Sequence, residues 1–374
     1  MDKFTYTFPA IRGVQAGREY YVSMCPLKLL ARLFRFDEDD LPPELRAQRS
    51  LNKSRVPEIA RYVVQNKDSY TFSAITVSID GETSFEVTGS ERTSSFRTGS
   101  LTVGMDATFI INDGQHRRAA ISAALQDAPE LADETIAVVF FLDRGLERSQ
   151  QMFADLNRHA VRPSSSLGVL YDHRSAASHI ARHLSIISPV FKNLIETEKS
   201  SLAPRARKLF TLSALHFAVQ ELLLEEELSD FASAASKCQE FWESVAGQIP
   251  EWTHVREGRM SSGEVRADFI HSHAIVLHAL GRAGRGLYAL SARERLRRIG
   301  KLKSIDWSRK NATTWEGRAM NGGAMSKSAR NVTLTCNEIK RVLGLKLDDA
   351  EQDIEDAHDA ARKALSRKRR NSES

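Results

Sequence analysis

The residues best suited to chemistry in this sequence lie where an apolar run gives way to a helical pattern. Residues 107–125 read ATFIINDGQHRRAAISAAL, with a tight turn at Gly114 and a helix predicted from about Gln115. A helix N-terminus presents unpaired N–H groups and the positive end of the helix dipole, which stabilise an anion. Gly114 admits close approach of a ligand, and His116 and Arg117 add donors that suit phosphate oxygens. The turn is therefore a candidate site for the phosphates of a nucleotide or of DNA.

A purely structural interpretation of the turn stays open, in which Asp113 caps the helix and the basic residues form a solvated first turn. A catalytic interpretation is also open, because Asp113 or His116 could orient a water molecule while Arg117 offsets developing charge. The sequence contains no Walker loop, no His-Glu-x-x-His and no Gly-x-Ser-x-Gly motif. Slow hydrolysis of a bound nucleoside triphosphate, an ATPase or nuclease type of activity, is thus an alternative to simple binding.

Two flanking segments add further candidate phosphate ligands. Downstream, an acidic helical pattern follows the strand pattern AVVFFLD, and upstream the stretch QRSLNKSR leads into a helix predicted over 54–65. The candidates are Asn157, Arg158 and Arg162 downstream, and Arg49 and Arg55 upstream. The two upstream arginines could equally be ordinary exposed residues near a helix start.

The segment INDGQHRRAAI, with QRSLNKSRVPEIARYV before it and FADLNRHAVRPSSSL after it, resembles the DGQHR-domain family. That family is similar to the ParB and sulfiredoxin superfamily, in which such a loop holds the triphosphate of a nucleotide. The runs YYVSMCPLKLLARLF and IKRVLGLKLDDAE bring the resemblance closer to the DndB family. The resemblance implies that ATP or another nucleoside triphosphate is bound by Asp113, Gly114, Gln115, His116 and Arg117, together with Asn157, Arg158 and Arg162. Leu156 separates Asp155 from Asn157, unlike in the superfamily, and no metal site is predicted.

The resemblance also implies a function. It indicates a DNA-binding transcriptional regulator, a repressor, of a DNA phosphorothioate modification gene cluster used in bacterial defence. Its expected partners are double-stranded DNA at the promoter of its own operon, further copies of the chain and other DNA-modification proteins. One alternative is a slow nucleoside triphosphatase coupled to DNA nicking or handling in the modification or restriction pathway. Another is a scaffold that holds modification enzymes together.

The apolar pattern predicts an α+β protein of two domains and a tail. Strand patterns alternate with helical ones up to about residue 165, which predicts a ParB/sulfiredoxin-like α/β domain over 1–165. The predicted strands cover 5–13, 73–79, 83–87, 100–103, 107–112 and 135–143. Long helical patterns without a convincing strand follow over 166–360, and 361–374 is predicted to be a basic, disordered tail.

The distribution of charge limits where DNA could bind. The formal net charge is +5, but without residues 361–374 the chain has 47 basic and 47 acidic residues. A DNA surface must therefore be a local patch in addition to the tail. Arg293, Arg297 and Lys301 follow a spacing of four residues, which predicts a basic stripe on one helix face. Arg205 and Lys208 form a second basic cluster, and a solvated helical face is the alternative interpretation of both.

The cysteines indicate a reducing environment. Three cysteines lie far apart without metal-ligand spacing, which argues against a disulfide framework. Cys25 stands between the strand-like run YYVSM and the helix-like run PLKLLARLF, so it is either a regulatory thiol of lowered pKa at a helix start or a buried structural thiol. No signal peptide or long apolar segment is evident, so we expect a cytoplasmic protein without membrane contact.

Overall fold

A sheet-containing unit is followed along the chain by a helical one. The computed structural model describes residues 4–34, 54–88, 97–144, 148–158 and 163–372. Within it the chain divides into two units, residues 1–161 and 162–374. The first unit is built on a mixed sheet and the second mainly on helices, which confirms the predicted α+β class.

Seven strands form the sheet of the first unit in the order β4-β5-β1-β2-β7-β3-β6. Strands β3 and β7 pair in parallel, and the other neighbours pair antiparallel. The β-branched and aromatic residues of β3 and β7 contribute to the core, where Val77, Val138 and Phe140 are fully buried. The strands are β1 Thr5–Gln15, β2 Arg18–Pro26, β3 Ile75–Asp80, β4 Thr83–Val87, β5 Arg97–Gly104, β6 Thr108–Asp113 and β7 Thr135–Leu142.

Helices of the first unit cover the sheet with their apolar faces. The helices are α1 Leu27–Leu33, α2 Arg55–Gln65, α3 Gln115–Asp127 and α4 Ser149–Arg158, with a 3-10 turn at Pro129–Asp133. In α2 and α3 the buried residues Ala60, Val63, Ala120, Ile121 and Ala124 recur at helical spacing. Helix α2 packs against α3.

The second unit is a helical assembly around three fully buried tryptophans, Trp242, Trp252 and Trp315. Its helices are α5 Ser165–Tyr171, α6 Ala176–Ile187, α7 Leu212–Leu222, α8 Phe231–Ala246, α9 Pro250–Arg256, α10 Ser262–Asp268, α11 Ala274–Leu287, α12 Ala292–Ile299, α13 Ala312–Trp315, α14 Ala329–Leu343 and α15 Asp349–Ser372. Two short strand pairs accompany them, β8 Ile195–Glu196 with β9 Phe210–Thr211 and β10 Met320–Asn321 with β11 Ala324–Met325. Among the described residues, no helix combines the length and the apolar character needed to cross a bilayer.

Helices α7 and α11 lie side by side and run in the same direction. A Cβ on Gly281 would lie 2.4 Å from the carbonyl oxygen of Ala218, and one on Gly284 would lie 2.8 Å from Leu222. Between these contacts Arg282 pairs with Glu221 at 2.8 Å. Because both numbers rise together along the interface, the two N-termini lie at the same end of the pair.

The basic C-terminal segment differs from the disordered tail predicted from residue 361. Helix α15 continues through it to Ser372. Alanine, lysine and arginine are strong helix formers, and a helix already formed upstream is extended at little cost. Basic side chains near a helix C-terminus are also favoured by the helix dipole.

The close contact between α7 and α11 predicts opposite effects for two glycines of one helix. Gly281→Ala forces a methyl group against the Ala218 carbonyl and should lower the free energy of unfolding by about 1–3 kcal/mol. Gly286→Ala is the matched control, because its Cβ would meet only Leu345 at 3.6 Å and should be neutral or stabilising. Urea unfolding followed by tryptophan fluorescence measures both, and equal effects of the two variants would contradict the packing.

Candidate phosphate site

The turn between β6 and α3 depends on a glycine in the left-handed region. Gly114 is the N-cap of α3 with φ 108° and ψ 11°. A Cβ at this position would lie 3.0 Å from Cγ1 of Ile75, so a side chain is excluded by both conformation and space. The N-cap residue makes no side-chain cap, and among the described residues the Asp113 carboxylate accepts from the Arg117 side chain rather than from an amide of the first turn of α3.

A β-bulge before the turn directs Asn112 into the interior. Strand β6 pairs Asp113 with Thr76 but Ile111 with Val77, so Asn112 is the extra residue. The Asn112 side chain is fully buried, donates to the Ser78 hydroxyl at 2.7 Å and accepts from the Ser149 hydroxyl at 2.7 Å.

Because Ser149 begins α4, the Asn112 side chain ties the downstream segment to the turn. Sequence reasoning did not select Asn112. The available signal was a lone amide at the end of an apolar strand, which must find buried partners.

Arg117 is engaged inside the protein rather than turned towards a ligand. Its Nη1 donates to the carbonyl oxygens of Ser73 and Ala74 at 2.6 and 2.9 Å and to the Ser73 hydroxyl. Its Nη2 donates to Oδ2 of Asp113 at 2.5 Å, and the arginine side chain is only 15% exposed. This differs from the prediction that Arg117 and Asp113 bind phosphate or act in hydrolysis. The backbone carbonyls that precede β3 take up the donors of Arg117.

Arg55 lies near enough to His116, at the start of α3, for its charge to act on the imidazole. Burial lowers the pKa of His116, the positive charge of Arg55 lowers that pKa further, and Asp113 opposes both effects. The imidazole is therefore neutral at pH 7, and a phosphate placed beside it would favour the protonated form. Arg55 is exposed at the first position of α2. The upstream Arg55 therefore acts on a residue of the turn at Gly114, which is the arrangement that the sequence predicts for a phosphate site.

The structure describes only some of the other predicted phosphate ligands. Gln115 is half-buried, and its Oε1 has no hydrogen-bond partner among the described residues. Asn157 and Arg158 belong to the backbone of α4, while their side chains lie outside the description. Arg49 and Arg162 lie outside the described residues.

One cluster has the residue types of a metal site but an unfavourable charge environment. Glu355, His358 and Asp359 of α15 place one ligand atom each within 4.8 Å of the others. Glu355 is fully buried and is already neutralised, because Arg318 pairs with it and Arg341 lies 2.8 Å from its Oε1. A cation would have to compete with two guanidinium groups, and we assign no metal there.

The predicted basic stripe is interrupted. Helix α12 ends at Ile299, and Lys301 lies in the following 3-10 turn, Gly300–Ser304. A 3-10 turn has a different residue period, so Lys301 does not continue the helix face of Arg293 and Arg297. Arg297 also donates twice to Glu294, at 2.7 Å each. The single-stripe prediction is therefore wrong in its geometry.

Several cations near the stripe are neutralised by carboxylates, and a few are not. Arg282 pairs with Glu221, Arg295 with Glu240, and Arg298 with Glu294. In the part of the chain that the structure describes, the cations without an ion pair include Arg293, Lys301, Lys303 and Arg205. Lys208 donates to the carbonyl oxygen of Asn193 at 2.9 Å.

Cys25 is a buried thiol at the end of β2. It is 1% exposed, and burial raises its pKa to about 11. The thiol is therefore protonated at neutral pH, which excludes the reactive thiolate proposed from its position before a helix. Cys25 is therefore a buried structural cysteine, as in the alternative interpretation of the sequence.

The hydrogen bonds of Arg117 predict a role in stability. Arg117→Ala should lower the free energy of unfolding by about 1–3 kcal/mol, because the exposed Ser73 carbonyl and the half-buried Ala74 carbonyl lose a charged donor. Arg61→Ala on the exposed side of α2 is the matched control and should stay within about 0.5 kcal/mol of the wild type. Thermal and urea unfolding followed by circular dichroism measures the difference. An Arg117 variant as stable as the control would contradict the assignment.

The proximity of Arg55 and His116 predicts a measurable pKa change. Arg55→Gln removes a positive charge beside the imidazole and should raise the pKa of His116. Titration of the histidine ring signals by NMR measures it, with the His116 signal identified by its absence in His116→Gln. Arg61→Gln should leave that pKa unchanged. An unchanged or lowered His116 pKa in Arg55→Gln would show that the two groups are not neighbours.

Comparison with known proteins identifies the family of this chain. No curated protein matches the sequence, and no solved structure matches the fold, so the predicted likeness to ParB and sulfiredoxin stays a prediction. The model of the family described as "DndB: DNA-sulfur modification-associated" matches residues 8–346. That match covers the turn, both units and most of the chain. The chain therefore belongs to the DndB family of DNA-sulfur modification-associated proteins.

Proposed function

We propose that this protein is a DNA-binding regulator, acting as a repressor, of a gene cluster for DNA sulfur modification. Membership of a family associated with DNA sulfur modification supports the setting. The observation that carries the proposal is that Arg55 acts on His116 at the N-terminus of α3, where the N-cap residue is a glycine. Two groups that can bear positive charge, next to the positive end of a helix dipole, suit a phosphate.

DNA contact in this proposal rests on cations that no carboxylate neutralises. Arg293, Lys301 and Lys303 lie within eleven residues of one another and are exposed. Such cations bind backbone phosphates and release counterions, which gives affinity that falls with salt. The described basic residues of this group are few, so we infer that several copies of the chain act together on DNA.

The role of the turn in this proposal is to sense a phosphate-bearing ligand, with ATP or another nucleoside triphosphate as the candidate. His116 is neutral when the site is empty and gains a proton as an anion approaches. Ligand binding is therefore favoured at lower pH. Hydrolysis has less support, since Asp113 and Arg117 are engaged with each other. The proposal places the protein in the cytoplasm, where its three buried cysteines stay reduced.

Fluorescence anisotropy tests the proposal with two DNA duplexes, one from upstream of the gene for this chain and one of scrambled sequence. The upstream duplex should bind more tightly, and Arg293→Gln should reduce the slope of log affinity against log salt by about 1. Arg297→Gln is the control for charge, because Arg297 is already paired with Glu294 and should change the slope less.

The same titration with ATP or CTP tests the turn. Nucleotide should change the DNA affinity of the wild type and of Arg61→Gln but not that of the Arg55→Gln/His116→Gln double variant. If neither duplex binds while the wild type releases phosphate from ATP, the regulator is excluded and the nucleoside triphosphatase alternative replaces it. If DNA binds without any effect of nucleotide, the turn has no sensing role.

A further inference from the structure

A cavity of about 420 Å³ lies in the second unit, at the N-terminal ends of the parallel helices α7 and α11. Thr211 and Ala214 line it from the start of α7, and His273 and Ala274 line it from the start of α11. The positive ends of two helix dipoles therefore face the same space. Side-by-side parallel helices make these dipoles add rather than cancel.

The charged residues that line the cavity are basic. Arg266, Arg309 and Lys327 line it, and no acidic residue occurs among the described residues of the lining. Arg266 is fully engaged, since it donates to the carbonyl oxygens of Ala203, Pro204 and Ala206 at 2.9–3.0 Å and so shapes the wall. Arg309 and Lys327 remain available to a ligand.

These two cations have no carboxylate partner. Arg309 donates to the carbonyl oxygen of Gly323 at 2.8 Å and forms no ion pair with a described residue. Lys327 is exposed and has neither an ion pair nor a side-chain hydrogen bond in the described part of the chain. The cavity therefore holds positive charge that the protein itself leaves uncompensated.

The Ser272 hydroxyl in the cavity wall lacks a hydrogen-bond acceptor among the described residues. Ser272 is only 4% exposed, lines the cavity, and its Oγ has no hydrogen-bond partner among the described residues. A buried hydroxyl is normally satisfied, so its isolation here needs an explanation. The neighbouring His273 ring donates to the carbonyl oxygen of Arg266 at 3.0 Å and is neutral, since burial lowers its pKa to about 4. No described residue accepts a hydrogen bond from the Ser272 hydroxyl.

We propose that this cavity binds a phosphate monoester, with the phosphoryl group at the N-terminus of α11. Ser272 would donate through its hydroxyl, Arg309 and Lys327 would donate through their charged groups, and the amides of the first turn of α11 would complete the site. The volume of about 420 Å³ exceeds the needs of a bare phosphate and falls within the range of about 300–1,000 Å³ typical of small-ligand sites. Phe210, Leu202 and Ala267 give the wall its apolar part, which suits an organic group on the phosphate.

The site is separate from the turn at Gly114, because its lining residues all belong to residues 162–374. A test in the Arg55→Gln/His116→Gln background removes the turn as a competing site. The result for this cavity therefore does not depend on whether the protein acts as a regulator. The phosphate monoester could be a free nucleotide or the 5′ end of a DNA strand, and the probes must distinguish these sources.

Isothermal titration calorimetry on the full chain in this background tests the site with inorganic phosphate, AMP and adenosine. AMP should bind and adenosine should not, and inorganic phosphate should bind more weakly than AMP. Arg309→Gln and Lys327→Gln should each weaken AMP binding by about tenfold or more, the usual effect of a charge-assisted hydrogen bond. Lys310→Gln, an exposed neighbour outside the lining, is the matched control and should have no effect.

Ser272→Ala gives a readout that a structural role would not produce. Removal of an unsatisfied buried hydroxyl should leave the melting temperature of the free protein unchanged or raised, while AMP binding weakens by about threefold to tenfold. Competition by a 5′-phosphorylated oligonucleotide, but not by its 5′-hydroxyl form, would identify a DNA end as the source. Absence of binding by both AMP and inorganic phosphate, or AMP binding that the three variants at Arg309, Lys327 and Ser272 all retain at the level of Lys310→Gln, would overturn the proposal.

Discussion

The guanidinium of Arg117 is the contact on which the geometry of the turn depends. It joins the first turn of α3 to Ser73 and Ala74, more than forty positions upstream, and to Asp113 within the turn. The left-handed Gly114 allows this approach, because a side chain there would meet Ile75 and stand 3.3 Å from Arg117. A motif that resembles a ligand-binding loop thus uses its central arginine to hold the loop. In the proposed function, His116 and Arg55 take the anion-binding role instead.

The local pattern predicted the fold class and the elements around the turn. Strand and helix have different periods, so the change at residues 107–125 could be read directly; β6 begins and ends within one residue of its predicted bounds, and α3 begins at Gln115 as predicted. The partners of Arg117 and Asn112 could not be read, because they lie on elements that approach only through the sheet. The pairing of Arg297 with Glu294 has the three-residue spacing of a helical ion pair, a sequence signal that the stripe prediction did not use.

Tertiary structure also decides which charges are available. Arg282 and Glu221 are 61 positions apart in sequence, yet the parallel packing of α7 and α11 neutralises both. The same packing brings two helix N-termini to one cavity and leaves Lys327 uncompensated there. Cys25 shows the converse, since burial raises its pKa although its position before a helix predicts a lowered one. Sequence position indicates the residue types that a site needs, while burial sets their protonation.

The account joins a phosphate-suited turn in the first unit to control of a gene cluster for DNA sulfur modification. Its central claim is tested most directly by a reporter gene placed behind the DNA upstream of the gene for this chain. Transcript levels are compared in cells that supply the wild type, the Arg55→Gln/His116→Gln double variant, Arg61→Gln or no protein. We predict low expression with the wild type and Arg61→Gln and raised expression without the protein, and we predict that the double variant, which cannot respond to nucleotide, gives an expression level different from that of the wild type. Equal expression in all four would contradict the account.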